Sequence, residues 1–307
     1  MPQKRPTVFI HTNHKQIVGA KVSEYLFRAN SKHADRFDIE LIYTEDHAFI
    51  KERDGQSYLR DGDKATWVYE NLQSFTPLRF MPPELMGYEG RAVVVDPDVF
   101  ALTDVWELFE RDMKGKAILC RPRTGSKGSL NCMATSVMLL DCAKLPHWNV
   151  KENFAELFDF KRDYMDWICL RTEKPESIGL FENEWNDFDR LTPKTKMIHN
   201  TKRQTQPWKT GLPVDFFPAR KKAKLAKPQT WLRPIARMLR GDVASGTYKQ
   251  HPDMAQEAFF FRALKGTLEA GLVTEEMLRE EMRKNHVRHD AFEVMERHAG
   301  PVAAARG

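Results

Sequence analysis

The sequence predicts an α/β fold class, a mostly parallel, doubly wound sheet followed by a C-terminal helical extension, on three observations. Short β-branched apolar runs at 7–11 (TVFIH), 39–44 (IELIYT) and 92–95 (AVVV) alternate with segments of helical spacing, the pattern of βαβ units. The third run stops abruptly at Asp96-Pro97-Asp98, as a buried strand does on leaving a sheet at the end where ligands bind. After Trp208 the strand pattern ceases, and residues 253–298 are almost continuously helix-forming.

Each element follows in turn. Ile17, Val18, Val22, Tyr25 and Leu26 repeat at helical spacing between the first two strands, so the chain opens β-α-β. Val105–Met113 reads as a short amphipathic helix, and Gly115–Cys120 and Ala134–Leu140 as two further strands. Asp61-Gly62-Asp63 lies in a polar loop and reads as a solvated turn. Pro207, Pro213, Pro218, Pro228 and Pro234 then break the chain, which places a boundary near 218. Gly266, Gly271 and the start signal Thr274-Glu275-Glu276 divide the C-terminal stretch into two or three helices. The predicted organisation is a catalytic-type α/β domain over 1–218, a basic amphipathic segment over 219–240 and a helical appendage over 241–307.

With 41% apolar and 30% charged residues over 307 positions, the chain is an ordinary folded protein and excludes collagen-like or wholly disordered classes. No apolar run approaches the ~18 residues of a membrane span, and Val8-Phe9-Ile10 is too short for a signal peptide core. A cytoplasmic location is expected. Cys120, Cys132, Cys142 and Cys169 form no C-x-x-C pair and are expected to be reduced, mostly buried thiols.

The net charge of +5 is local in origin, because residues 219–240 hold eight Lys or Arg and no Asp or Glu. One patch of this kind, with few aromatics between the charges, does not indicate nucleic-acid binding. On a helical wheel Trp231, Leu232, Ile235, Met238 and Leu239 share one arc, with Arg233, Arg237 and Arg240 opposite. Two readings stay open: docking on an anionic membrane surface, at the inner face of a bilayer, or an apolar arc packed on the preceding domain with solvated lysines.

Chemistry is concentrated at VVVDPDVF. Asp96 and Asp98 stand two residues apart just past a buried strand, so both carboxylates project the same way. Such a pair suits a hard divalent cation, Mg²⁺ or Mn²⁺, which in turn holds a diphosphate. The plainer reading is an acidic turn that caps the helix after Thr103 and Asp104. Asp187-Phe188-Asp189 repeats the D-x-D pattern.

In the context of SFTPLRFMPPELMGYEGRAVVVDPDVFALTDVWELFE, the motif resembles the retaining sugar-nucleotide-dependent glycosyltransferases of the glycogenin and lipopolysaccharide galactosyltransferase family. TSVMLLD, ENEWN and MIHNTKRQTQPW resemble that family's later motifs, in the same order and over about residues 7–210. The resemblance implies a GT-A type fold and metal-dependent transfer from a nucleotide-diphosphate donor, a UDP-sugar, to a glycan or lipid-linked acceptor. It implies that Asp96, Asp98 and His199 hold Mn²⁺ or Mg²⁺, that Arg79 meets the donor sugar or phosphate, and that Thr12 and Asn13 meet the nucleotide. An ion pair with Glu84 is the alternative for Arg79, and a strand-end structural role is the alternative for His199. Asp166 would position the acceptor hydroxyl, or else serve as a carboxylate at a helix start.

The chain also departs from the family. Gln206 stands where a diphosphate-binding lysine belongs, leaving Lys202, Arg203 or Lys209 to supply that charge. Ala134-Thr135-Ser136 replaces Asn-Ser-Gly, and Tyr164-Met165-Asp166 lacks the family's glutamine. Two rival readings remain. One is a haloacid-dehalogenase-like phosphatase, which also places D-x-D after a strand but needs it near the start of its domain and a Thr or Val where Phe100 stands. The other is a degenerate, non-catalytic sugar-nucleotide-binding protein.

Overall fold

The computed structural model describes residues 4–123, 132–216 and 246–299. Six strands form the main sheet: β1 (Thr7–Thr12), β2 (Asp38–Tyr43), β5 (Arg91–Val95), β7 (Ile118–Pro122), β8 (Met133–Asp141) and β9 (Ile178–Leu180), in the order β2-β1-β5-β8-β7-β9. Pairs β1/β2, β1/β5 and β7/β9 run parallel, whereas β8 runs antiparallel to both neighbours. The sheet is therefore mixed but mostly parallel. All four residues of AVVV are fully buried, as a central strand covered on both faces requires.

Helix α1 (Ile17–Ala29) crosses from β1 to β2. The remaining helices among the described residues are α2 (Ala48–Lys51), α3 (Pro82–Leu85), α4 (Trp106–Phe109), α5 (Val150–Phe158), α6 (Tyr164–Ile168), α7 (Met254–Glu269), α8 (Glu275–Arg283) and α9 (Ala291–Arg297). Among the described residues three helices follow Trp208, and Thr274 caps α8 by accepting from Met277 N at 3.1 Å. The helix expected over 105–113 is one turn long, ending at Phe109, and positive φ at Lys114 and Gly115 then turns the chain into β7.

Two small sheets escaped the sequence reading. Strands β3 (Ser57–Arg60) and β4 (Asp63–Thr66) pair antiparallel about Asp61-Gly62, whose φ values of 54° and 79° make a two-residue hairpin turn. The Asp-Gly dipeptide is thus the tip of a hairpin. Strands β10 (Asp187–Phe188), β11 (Met197–His199) and β6 (Val99–Ala101) form the second, with β11 antiparallel to β6 and His199 opposite Val99.

Helix α1 holds the turn between β5 and β6 in place. Ser23 Oγ donates to Val99 O at 2.7 Å and Asn30 Nδ2 to Ala101 O at 2.8 Å. Gly19 sits against Pro97, where an added Cβ would lie 2.8 Å from the Pro97 carbonyl oxygen. On the other side of α1, Val18, Val22 and Leu26 join Phe100, Ile198, Trp208, Phe260, Phe261 and Leu264 in a second apolar core. The C-terminal helices therefore pack behind the two small strands that carry the turn and His199.

The expectation of four reduced thiols needs correction. Cys132 and Cys169 form a disulfide across 37 residues, while Cys120 and Cys142 are buried free thiols whose pKa values burial pushes up to about 12. Sequence spacing gave no sign of the pair because the fold makes it, docking the end of α6 on the start of β8. Met133 N donates to Cys169 O at 3.2 Å beside it. The basic segment 219–240 lies outside the described residues. Among those described, no helix is long and apolar enough to cross a membrane.

Candidate metal centre and its surroundings

Asp96 leaves the carboxyl end of β5 and is 7% exposed, with its N–H still donating to Ser136 O at 3.0 Å. The β6/β11 pairing carries His199 to the same place, and Asn200 N donates to Asp98 O at 3.1 Å. As a result, Asp96, Asp98 and His199 offer one ligand atom each within 4.8 Å of one another, the arrangement a metal ion needs. His199 Nε2 lies 3.3 Å from Asp98 Oδ1, an oxygen that is buried and has no hydrogen-bond partner among the described residues.

The ring of His199 is oriented from behind. Asn186 Nδ2 donates to Ser136 Oγ at 3.0 Å, leaving Asn186 Oδ1 to accept from His199 Nδ1 at 3.0 Å. The proton belongs on Nδ1 and Nε2 is turned to the carboxylates, the usual support for a metal-binding imidazole. Burial alone would lower the pKa of His199, but the negative charges of Asp98 and Asp96 outweigh it and raise the value.

Asp96 is the more heavily held of the two carboxylates. Arg79 Nη2 donates to both its oxygens, at 2.6 and 2.7 Å, and His11 Nε2 lies 2.8 Å from Oδ1. Burial would raise the Asp96 pKa, yet the Arg79 guanidinium and His11 hold it far below the usual carboxylate range. His11 is fully buried, which lowers its own pKa and favours the neutral ring. Arg79 reaches further, donating from Nη1 to Thr135 Oγ1 at 2.7 Å, and that hydroxyl donates to Ile168 O at 2.8 Å. Its ion-pair partner is thus Asp96 and not Glu84.

Other predicted residues are placed as follows. Thr12 and Asn13 are buried at the end of β1; Asn13 Nδ2 donates to Leu72 O and Ser74 Oγ, both at 3.2 Å, so its amide shapes the loop. Arg203 is partly buried with its guanidinium 4.9 Å over the Phe216 ring, within electrostatic reach of Asp98, Arg123 and Arg60. Lys202 is exposed, and its backbone N–H donates to Asp189 Oδ1 at 3.1 Å. Lys209 is fully buried and bound to Asp215 Oδ2 at 2.6 Å. Asp166 pairs with Arg171 Nη1 at 2.8 Å and lines a cavity of about 280 Å³ with Trp148, Glu156, Arg162 and Glu173, to which none of the three metal-type ligands contributes. Asp187 and Asp189 serve structure: Asp187 Oδ2 accepts from Thr195 Oγ1 at 2.8 Å, and Asp189 accepts from the Thr201 hydroxyl.

The sequence reading missed His11, Asn186 as an orienting group, and Arg123 as a neighbour of the site. The available signal for His11 was a polar residue in an otherwise apolar buried strand. Arg123 lies within electrostatic reach of Arg79 and Asp96. Together with Arg203 it brings positive charge to a rim that the motif comparison left without its lysine.

No protein-family model matches the chain, and no curated protein does. Solved structures do. The bifunctional glycosyltransferase WbbM in its apo form is 13% identical over 68% of this chain, with a TM-score of 0.46, and the chain spans 48% of its length. Mouse xyloside xylosyltransferase 1 is 14% identical over 64% of this chain and 97% of its own, with a TM-score of 0.42. The galactosyltransferase LgtC, solved with donor and acceptor sugar analogues, is 12% identical over 78% of this chain and 97% of its own, with a TM-score of 0.45. These are likenesses of fold, and what the chain can do is read from its own side chains.

Proposed function

We propose that this chain is a metal-dependent retaining glycosyltransferase, moving a sugar from a UDP-sugar donor to a glycan or lipid-linked acceptor. The observation that carries this reading is the buried Asp96, Asp98 and His199 cluster at the carboxyl end of β5, with Asp98 Oδ1 unpartnered beside His199 Nε2. The cluster fits a divalent cation: two carboxylate oxygens with one imidazole nitrogen suit Mn²⁺ at least as well as Mg²⁺. A cation bound there supplies positive charge to the departing diphosphate.

The side chains account for the rest. Arg79 and His11 keep Asp96 ionised and fixed, so the site is charged before the donor arrives. Arg203, within electrostatic reach of Asp98, and Arg123, within reach of Asp96, would supply positive charge for the diphosphate. The bond from the anomeric carbon to the diphosphate oxygen breaks with its electron pair going to the diphosphate. The acceptor oxygen forms the new bond on the same face, and the departing phosphate oxygen takes the hydroxyl proton.

Calorimetry with UDP, with and without Mn²⁺, followed by turnover against a panel of sugar nucleotides, tests the reading. Asp98→Asn is expected to abolish metal-dependent UDP binding and transfer while leaving the fold intact. Full activity of that variant in a chelator overturns the assignment. Phosphatase activity without nucleotide binding favours the dehalogenase-like alternative, and binding without turnover of any donor favours the non-catalytic one.

A further inference from the structure

Gln206 stands out because it touches the proposed metal site directly while carrying no charge. It is 1% exposed and its Nε2 donates to Asp98 Oδ2 at 3.1 Å. That bond engages the outer oxygen of Asp98 and leaves Oδ1 as the free, buried one facing His199. The Gln206 backbone is firmly placed, with extended geometry (φ −59°, ψ 121°) as the residue before Pro207. Trp208 follows, fully buried and stacked on Phe260 of α7 at 4.6 Å, and its carbonyl accepts from Arg288 N at 2.7 Å. A continuous packed path therefore runs from the C-terminal helices through Trp208 and Pro207 to the carboxylate.

We propose that Gln206 is a positioning residue of the cation site: it holds Asp98 Oδ2 with a neutral amide so that Oδ1 stays directed at the ion. A lysine ammonium at this position would pair with Asp98 and compete with the cation for it, whereas the amide orients the carboxylate and leaves its charge available. The role rests on the metal-dependent reading above and makes a separate claim. Charge for the diphosphate then falls to the arginines of the rim, and Gln206 serves the ion instead.

The test is Mn²⁺ binding to the full-length protein without substrate, followed by electron paramagnetic resonance of free Mn²⁺, with the thermal midpoint recorded for each variant. Gln206→Met keeps the length and loses the donor, and Gln206→Asn keeps the amide and loses the reach. Both are expected to weaken Mn²⁺ binding by about tenfold or more, as loss of a group that orients a metal ligand does, and Gln206→Lys to weaken it further. A merely structural role would lower the thermal midpoint and leave the affinity of the folded protein unchanged. Wild-type affinity in either the Met or the Asn variant overturns the proposal while leaving the metal site standing. Failure of the wild-type protein itself to bind Mn²⁺ overturns both.

Discussion

Replacing Gly19 by alanine tests how the turn of the candidate metal site is held. The added Cβ would stand 2.8 Å from the Pro97 carbonyl oxygen, where ordinary contact begins near 3.4 Å, so helix or turn must yield by about half an ångström. The obstacle is backbone, and it sits between the two carboxylates. Yielding is opposed by the bonds from Ser23 to Val99 O and from Asn30 to Ala101 O, which tie α1 to the strand after the turn. Overpacking of this kind costs about 1–3 kcal/mol, and the helix preference for alanine over glycine returns roughly 1 kcal/mol. A net loss of about 1 kcal/mol is expected, which for a chain of this size lowers the thermal midpoint by about 2 °C. The effect on the site should be larger, because a shift of about half an ångström is already the limit of what a preorganised ligand set tolerates. Mn²⁺ affinity is expected to fall by about tenfold. Calorimetry of Mn²⁺ binding and differential scanning measure the two effects on one sample. A Gly19→Ala protein that is as stable as wild type and binds Mn²⁺ equally well would show that Pro97 is not held by this contact.

Three further outcomes are expected. His199→Ala should weaken Mn²⁺ binding at least tenfold, about 1.4 kcal/mol, and an unchanged dissociation constant places the third ligand elsewhere. Because the folded pKa of His199 is raised above 6.5, its imidazolium stabilises the metal-free protein below pH 6.5, and that stability is lost as pH rises through the raised value. The ion must displace the same proton, so Mn²⁺ affinity should climb across that window, and a flat profile there refutes the coupling. Arg203→Ala and Arg123→Ala should each weaken UDP binding several-fold and make it less dependent on salt, with little change for uridine. Equal losses for UDP and uridine would mean that the arginines do not face the diphosphate.

Much of this site was legible because its ligands sit at ends of apolar runs. AVVV followed by Asp-Pro-Asp marks a buried strand leaving a sheet, so local pattern located the two carboxylates, whereas His199 at the end of Met197-Ile198 was joined to them by the resemblance to the glycosyltransferase motifs. What supports them is not local. Gln206 reaches Asp98 across 108 residues and Asn186 reaches Ser136 across 50, and such pairings leave no trace in spacing. The β3/β4 hairpin was hidden for a different reason: Ser57–Arg60 and Asp63–Thr66 are too polar to show alternation, although Asp-Gly between them was the available cue. The disulfide likewise depends on two elements meeting and not on cysteine spacing.

The second apolar core has a consequence for how the chain is made. Val18, Val22 and Leu26 emerge from the ribosome early, but Phe260, Phe261 and Leu264, which cover them, follow about 230 residues later. At roughly 5–20 residues per second, that face of α1 stays open to water, or to a chaperone, for about 10–50 seconds. Trp208 and the strand bearing His199 wait on the same helices. Helix α1 and the helices that follow Trp208 thus close on each other only after the whole intervening stretch has been made, and a chain stopped before α7 would be sticky, with its candidate metal site unsupported.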